Sequence, residues 1–157
     1  MAPPIQPLIA GLGIHALGQI SDERGTVLHM IRNDSQDFHG FGECYFSEIL
    51  PGAVKAWKLH LYQTQNLAVP VGKVRLVVFD DREGSDTRGQ LQALELGRPE
   101  NYFRVTIPPR LWYGFACVSP ELALLANFAN IPHDPAESVT LPVGEARIPY
   151  QWRSSPN

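Results

Sequence analysis

Frequent helix-breaking residues are the strongest constraint that this sequence places on its fold. Prolines number 14 and glycines 13, and they are spread along the chain so that the segments between them are short. Because proline removes a backbone donor and glycine weakens a helix, long helices rarely survive such punctuation. The intervening segments are rich in Val, Leu, Phe, Tyr and Thr, which favour strands. The sequence therefore predicts an all-β protein.

Alternation of side chains supports the strand prediction. Val74 and Leu76 share one face of their segment, while Lys73 and Arg75 share the other. Roughly nine short strands at such close spacing are typical of an antiparallel sandwich or barrel. An aspartate cap, a proline and a glutamate at 134–137 add one short helical turn. The predicted strands are residues 26–32, 44–50, 54–61, 66–71, 73–79, 91–96, 102–107, 112–118 and 122–128.

Length and composition predict one soluble domain. The 157 residues fit a single domain over 1–157, with residues 1–21 as an irregular N-terminal arm. A hydrophobic fraction of 44% and a charged fraction of 18% are typical of globular proteins. The net charge of -3 argues against nucleic-acid binding, and no apolar run reaches the ~18 residues of a membrane span.

The two cysteines bear on the location of the protein. Cys44 and Cys117 are far apart and lie in predicted strands, so we expect two buried, reduced thiols, with a disulfide as the minority alternative. The first residues make a poor signal peptide. Together these features predict a cytoplasmic protein.

One histidine comes with a recognisable constellation. Gly52, Lys58, His60, Gln65 and Gly72 have the spacing of the first metal-binding motif of cupin barrels, but lysine and glutamine replace two of the three ligands. A divalent transition metal needs three or four imidazole, carboxylate or thiolate ligands. We therefore expect a pocket without a metal or other cofactor, in which His60 does proton chemistry. The position of the last cupin ligand is occupied by Tyr113.

The order of several further motifs resembles the dTDP-4-dehydrorhamnose 3,5-epimerase family. The resemblance covers most of the chain and implies a cupin-type jelly-roll barrel, usually a homodimer in which a strand or arm of one subunit reaches the other. It also implies a nucleotide-diphosphate sugar as substrate. The motifs are Asp-Glu-Arg-Gly at 22–25, Leu-His and Tyr-Gln within 59–63, Asp-x-Arg-x-x-Ser-x-Thr-x-Gly at 80–89, Ile-Pro-Pro at 107–109 with Gly-Phe at 114–115, and Ile-Pro-Tyr-Gln-Trp at 148–152.

The resemblance implies a reaction for the lone histidine. Protons at C3 and C5 of a 4-keto sugar lie next to the carbonyl, so a neutral imidazole can remove one and an acid on the opposite face can return it. His60 falls on the family's base, and Arg24 lies in the block that holds the nucleotide diphosphate. The carboxylate that supports the histidine falls on Glu145, counted back from the tryptophan at 152.

Three family positions are altered in this chain. The substrate arginine falls on Trp57, the following lysine falls near Gln65 or Asn66, and the acidic tyrosine falls on Asn127, whose amide is not an acid. Arg110 is a further candidate for the diphosphate.

Two other side chains are candidates to compensate. Lys58 shares a strand face with His60, where its charge would stabilise an enolate and keep the imidazole neutral. Tyr113 would supply the missing phenol if it faces inward. For Lys58 the alternative is a lysine at the barrel rim, and for Tyr113 a core aromatic residue.

Two other functions remain open at this stage. A protein that binds a sugar nucleotide or small metabolite without epimerising it would retain the pocket, and the changes at Trp57 and Asn127 favour that alternative. A cupin isomerase, lyase or cyclase acting on another carbonyl compound would also use His60.

Overall fold

Two antiparallel sheets form the protein. The computed structural model describes residues 5–153. In this part of the chain, one five-stranded sheet has the order β1-β9-β6-β11-β4, a second has the order β12-β5-β10-β7-β8, and β2 and β3 form a two-stranded hairpin. The strands are β1 Gly13–Ala16, β2 Gln19–Asp22, β3 Gly25–Leu28, β4 Glu43–Ile49, β5 Val54–His60, β6 Gln65–Val71, β7 Lys73–Phe79, β8 Leu91–Gly97, β9 Phe103–Ile107, β10 Trp112–Cys117, β11 Ala123–Ala129 and β12 Ser138–Thr140, with a 3-10 turn at Pro135–Glu137.

The main core fills the space between the two five-stranded sheets. Alternate residues of each strand point into it, as expected for two sheets packed face to face. Leu67 on β6 and Leu125 on β11 face Leu76 on β7 and Phe115 on β10. This is the jelly-roll arrangement expected from the sequence, and at one end the apolar filling gives way to polar side chains.

The C-terminal segment covers the outer face of the second sheet. Trp57 packs there against Trp152, with ring centroids 5.3 Å apart, and Tyr150 lies edge-on to Trp152 at 4.8 Å. Backbone hydrogen bonds between Trp57 and Leu141 hold the segment in place in both directions. The aromatic residues of this second core lie on the opposite side of β5 from the main core.

Eight of the nine predicted strands are present with small shifts at their ends, and the one predicted at 26–32 is shorter than expected, because β3 ends at Leu28. Two details differ. Residues 1–21 were expected to be an irregular arm, but β1 pairs with β9 from Gly13↔Thr106 to Ala16↔Phe103, and β2 begins at Gln19. Residues 1–4 of that arm lie outside the described residues. Strands of four residues contain too few alternations to be recognised in sequence.

The cysteines are both free, but only one is buried. Cys117 is buried in the main core, as expected. Cys44 is exposed, so its expected burial is wrong. The reason is the register of β4, in which Tyr45 lies opposite the inward-facing Asn127 and Cys44 therefore points outward.

The polar loop after β7 folds around one buried carboxylate. Asp80, with no exposed surface, accepts hydrogen bonds from Arg82, Ser85 and Thr87 at 2.6 to 2.9 Å. Arg82 also donates to the carbonyl of Ala10, which ties the N-terminal segment to the loop. The most specific of the sequence motifs is therefore a structural unit.

Between residues 5 and 153, none of the helical segments has the length and hydropathy of a transmembrane span.

Candidate active site

A buried histidine and a buried glutamate meet at the polar end of the barrel. His60 is the last residue of β5, and Glu137 ends the 3-10 turn that precedes β12. Because Ser138 pairs with His60 across the β12–β5 ladder, the turn delivers Glu137 to the imidazole. His60 Nδ1 donates to Glu137 Oε1. His60 is 4% exposed and Glu137 is 5% exposed.

Backbone donors hold the second oxygen of the glutamate. Glu137 Oε2 accepts from the backbone nitrogens of Tyr62 at 3.3 Å and Gln63 at 3.2 Å. The turn itself is fixed by Asp134, whose side chain accepts from the backbone nitrogen of Ala136 at 2.9 Å. Both carboxylate oxygens thus have donors, which fixes the orientation of the imidazole.

The electrostatics keep the pair as a neutral imidazole and an ionised carboxylate. Burial lowers the pKa of His60, the Glu137 bond partly offsets this, and the charge of Lys58 lowers the pKa further. Burial acts to raise the pKa of Glu137, but the bonds from His60 and the two backbone donors outweigh it and the pKa is lowered. His60 is therefore ready to accept a proton at neutral pH.

The second imidazole nitrogen contacts a buried phenol. Tyr113 Oη lies 3.1 Å from His60 Nε2, and the two rings are nearly parallel. Since Nδ1 carries the proton that goes to Glu137, Nε2 is the acceptor and the Tyr113 hydroxyl donates to it. Burial raises the pKa of Tyr113, so the phenol keeps its proton.

A cavity of about 350 Å³ lies beside this pair. Its volume is in the range of small-molecule sites. Lys58 and Tyr113 border it from the second sheet, and Tyr45 and Asn127 border it from the first. His60 lies behind Tyr113 rather than on the cavity wall, so the imidazole meets the cavity through the Tyr113 hydroxyl.

A β-bulge brings two lysines to the same cavity. Tyr113 pairs with Lys58 but Phe115 pairs with Lys55, so β5 has one residue more than β10 between these pairs. Strict alternation would place Lys55 and Lys58 on opposite faces, yet both border the cavity. Lys55 Nζ donates to Ser47 Oγ at 2.8 Å on the facing edge strand. Sequence reasoning missed Lys55 because a bulge has no clear signature in a single sequence.

A row of hydrogen-bonded amides leads from the carbonyl of Ile131 to Asn127, which borders the cavity on its facing wall. Gln63 Nε2 donates to the carbonyl of Ile131 at 2.6 Å, and Gln65 Nε2 donates to Gln63 Oε1. Asn127 Nδ2 donates to Gln65 Oε1 and, at 2.8 Å, to the hydroxyl of Tyr45. Asn127 Oδ1 is buried without a hydrogen-bond partner in the described part of the chain. A ligand hydroxyl would satisfy such an acceptor.

Comparisons with known proteins connect this site to a family. No protein-family model matches the chain. A crystal structure of a dTDP sugar isomerase from Desulfovibrio desulfuricans G20 has a TM-score of 0.92 and 49% identity, with 94% of each chain covered. The probable low-salt glycan biosynthesis epimerase Agl13 of Haloferax volcanii is 32% identical over 146 residues, which cover 92% of this chain and 90% of that protein.

This chain belongs to the dTDP-4-dehydrorhamnose 3,5-epimerase family. The expected family, fold class and enzyme class are therefore confirmed. The epimerase of Legionella pneumophila, crystallised with dTDP-4-keto-L-rhamnose, is 23% identical with a TM-score of 0.84, covering 96% of this chain and 83% of that one. It supports the fold.

One expectation for this epimerase-family site is wrong. Glu145 does not contact His60; its carboxylate accepts from the backbone nitrogen of Arg147 at 3.1 Å in the C-terminal segment. Counting back from Trp152 failed because that segment covers the outer face of the second sheet, away from the imidazole. Glu137 is the contacting carboxylate. In the sequence, Glu137 stood out only as the last residue of the predicted turn. Its capping role there already accounted for a glutamate at this position, so it was not considered for the site.

Of the other expected residues, some lie at the cavity and some do not. Asn127, Lys58 and Tyr113 border the cavity, whereas Gln65 does not border it and is buried as the acceptor of the Asn127 hydrogen bond. Trp57 borders the cavity, but its indole packs in the outer aromatic core and donates to the carbonyl of Val143 at 3.2 Å.

Besides Gln65, three expected binding residues are not brought to the cavity within this chain. Asn66 faces the other side of β6, where it donates to the carbonyl of Phe128 and accepts from Thr106. Arg110 lies in a separate surface depression with Arg82. Arg24, whose side chain is 82% exposed, pairs with Asp22 in the β2–β3 turn.

Within residues 5–153, no group of three or more His, Cys, Asp or Glu side chains is arranged to hold a metal ion.

Proposed function

We propose that this epimerase-family protein isomerises a nucleotide-activated 4-keto-6-deoxy sugar by inverting one or both carbons next to the ketone. The observation that supports this proposal most directly is the buried His60–Glu137 pair behind a cavity that is bordered by Lys58. The relative that is 49% identical is named a dTDP sugar isomerase, which supports a dTDP-linked substrate.

The proposed reaction begins with a proton transfer from carbon. The proton on the carbon next to the ketone passes to the His60 side, and the electron pair of the broken C–H bond forms an enolate. Glu137 holds the imidazole and stabilises the imidazolium that results. Lys58 stabilises the charge that develops on the enolate oxygen.

Tyr113 has a defined part in this scheme. Its hydroxyl occupies the Nε2 lone pair, so Nε2 accepts a proton from the sugar only when Tyr113 relays it or when the substrate displaces this hydrogen bond. Both routes put Tyr113 on the same side of the sugar as His60. The acid role expected for Tyr113 requires the opposite side, so its position does not support that role.

A second candidate function is binding without inversion. The family's acidic tyrosine falls on Asn127, and an amide cannot protonate an enolate. A protein that lacked any other acid would bind the sugar nucleotide, or exchange its protons, without inverting a carbon.

Isotope exchange tests the proposed function. The protein in D2O with dTDP-4-keto-6-deoxy-D-glucose should introduce deuterium at C3, C5 or both and should invert at least one of these carbons, as followed by NMR. The His60→Asn variant should lower this exchange by about 10² to 10⁴-fold, the usual contribution of a general base. No exchange by the wild-type protein, or undiminished exchange by His60→Asn, would contradict the proposal. Exchange without inversion by the wild-type protein would favour the second candidate.

We also propose that the protein acts as a homodimer in the cytoplasm. Arg24 lies outside the cavity of its own chain, and beside it on the β2–β3 hairpin the cross-strand partners Ile20 and Val27 are 60% and 61% exposed. A second chain that covers this apolar pair would also bring its own cavity towards Arg24. Arg24 would then bind the diphosphate of the ligand in that cavity. Light scattering should give twice the mass of the chain, and a single-chain mass would contradict the dimer.

A further inference from the structure

We propose that Tyr45 is the acid that returns a proton to the sugar, from the side of the cavity opposite His60. The proposal rests on the proposed function above, because it completes the inversion that His60 begins. Inversion requires a donor on the face of the enolate that the base did not use. A phenol is one of the few side chains that can supply such a proton at neutral pH.

The sheet pairing gives Tyr45 the required placement. Tyr45 lies directly opposite Asn127 in the β4–β11 ladder, and both side chains border the cavity. His60 and Tyr113 belong to β5 and β10 of the facing sheet. A ligand in the cavity therefore has the imidazole and its phenol on one side and Tyr45 on the other. Asn127 occupies the position expected for a phenol, and the phenol is found on the adjacent strand.

The amide row fixes the direction of the Tyr45 hydrogen bond. The carbonyl of Ile131 can only accept, so Gln63 presents its Nε2 there and its Oε1 to Gln65. The same reasoning passes along Gln65 to Asn127, which therefore donates through Nδ2 to the Tyr45 oxygen. This bond uses a lone pair of the Tyr45 hydroxyl. The hydroxyl proton remains available for a ligand.

The surroundings of Tyr45 suit a proton donor that is reprotonated from solvent after each turnover. Tyr45 is 39% exposed, whereas Tyr113 is 5% exposed. Burial of part of the ring raises the pKa of Tyr45, so the group is protonated before the reaction. After it gives its proton to carbon and the carbonyl re-forms, the phenolate takes a proton from water, while the imidazolium of His60 releases one. The cycle leaves no net change in protons.

Separating exchange from inversion tests the role of Tyr45. With dTDP-4-keto-6-deoxy-D-glucose in D2O, the Tyr45→Phe variant should lose inversion by about 10²-fold or more, because a positioned acid contributes about 10² to 10⁴. Exchange should persist with retained configuration, since the imidazole can return deuterium to the face from which it took hydrogen. NMR distinguishes the labelled starting sugar from the inverted product.

A matched variant controls for the loss of a tyrosine hydroxyl. Tyr102 donates its hydroxyl proton to the carbonyl of His29 at 2.8 Å and does not border the cavity, so Tyr102→Phe should invert the sugar at the wild-type rate. Thermal melting and dTDP binding check that Tyr45→Phe remains folded and able to bind.

Each other outcome has a defined meaning. Inversion by Tyr45→Phe within about threefold of wild type would overturn the proposal, because a true acid contributes far more. Equal loss of exchange and inversion would also overturn it, since Tyr45 would then act by positioning the sugar. In either case wild-type exchange and inversion that depend on His60 would leave the proposed function standing, whereas absence of both in the wild-type protein would overturn both proposals.

Discussion

The buried carboxylates Asp80 and Glu137 are used in opposite ways. Asp80 is bonded to residues two to seven positions away, one of which is the permanently charged Arg82. Glu137 is bonded to His60, which is 77 positions away and exchanges protons near neutral pH. Burial alone therefore does not show that a carboxylate belongs to the active site. The partner decides whether a buried carboxylate stabilises the fold or controls a proton.

The stability side of this comparison predicts the largest effect. Asp80→Ala would leave the partly buried Arg82 guanidinium and two hydroxyls without their acceptor, and we expect a loss of roughly 3–5 kcal/mol in the free energy of unfolding. Urea denaturation measures this loss. Asp81→Ala is the matched control: Asp81 reaches Arg88 only at 3.4 Å on the surface, so its removal should cost about 0–1 kcal/mol. Equal costs for the two variants would contradict the structural role of Asp80.

The stabilisation by Asp80 should also have a characteristic pH dependence. Burial acts to raise the pKa of Asp80, but the bonds from Arg82, Ser85 and Thr87 outweigh it and hold the pKa well below the ordinary 3.8. A depressed folded-state pKa means that the stabilisation is fully present above 3.8 and is lost as the pH falls through the lower value. The difference in the free energy of unfolding between wild type and Asp80→Ala should therefore decrease only below about pH 4.

The catalytic side of the comparison predicts a loss of activity with a smaller loss of stability. Glu137→Gln keeps an acceptor for His60 but removes the charge that stabilises the imidazolium, so we expect turnover to fall by about 10²-fold or more. Steady-state kinetics and urea denaturation together check this separation. Glu145→Gln should retain wild-type turnover. If Glu145→Gln were the inactive variant, the assignment of the supporting carboxylate to Glu137 would be wrong.

The pH profile of activity gives the smallest effect. Because burial lowers the pKa of His60 below its ordinary 6.5, kcat/KM should fall with decreasing pH only below that value. The charge of Lys58 contributes to lowering the pKa of His60. Lys58→Gln should therefore move the acidic limb of the kcat/KM profile to higher pH by about 0.3–1 unit, whatever it does to the maximal rate. A limb above pH 6.5 in the wild type, or no movement in the variant, would contradict the proposed electrostatics.

Local signals account for the part of the fold that the sequence predicted. Proline and glycine mark the ends of strands directly, and so the eight longer strands were found nearly in full and the short β3 in part. The 3-10 turn was found because its cap, Asp134, lies within three residues of its end. The missed β1, β2 and β12 have three or four residues each, and β1 and β12 are held by pairing with distant strands.

The same difference between local signals and long-range contacts explains which site residues the sequence predicted. His60 and Lys58 were found because they fall at the spacing of a local cupin motif and share one face of one strand. Glu137 was missed because its contact is long-range and its capping signature gave it another role, and Tyr45 was missed because only the β4–β11 register brings it opposite Asn127. A bulge placed Lys55 beside Lys58 against the expected alternation. Positions set by register, bulge and long-range contact are those that a single sequence conceals.

The carbonyl of Ile131 has an influence beyond its own neighbourhood. It can never act as a donor, and three amide side chains transmit that polarity to the phenol at the far end. A glutamate in place of Gln65 could not donate to Gln63, so the row would lose its single direction. The orientation of the Tyr45 hydroxyl is thus set in part by Gln63 and Gln65, which do not border the cavity.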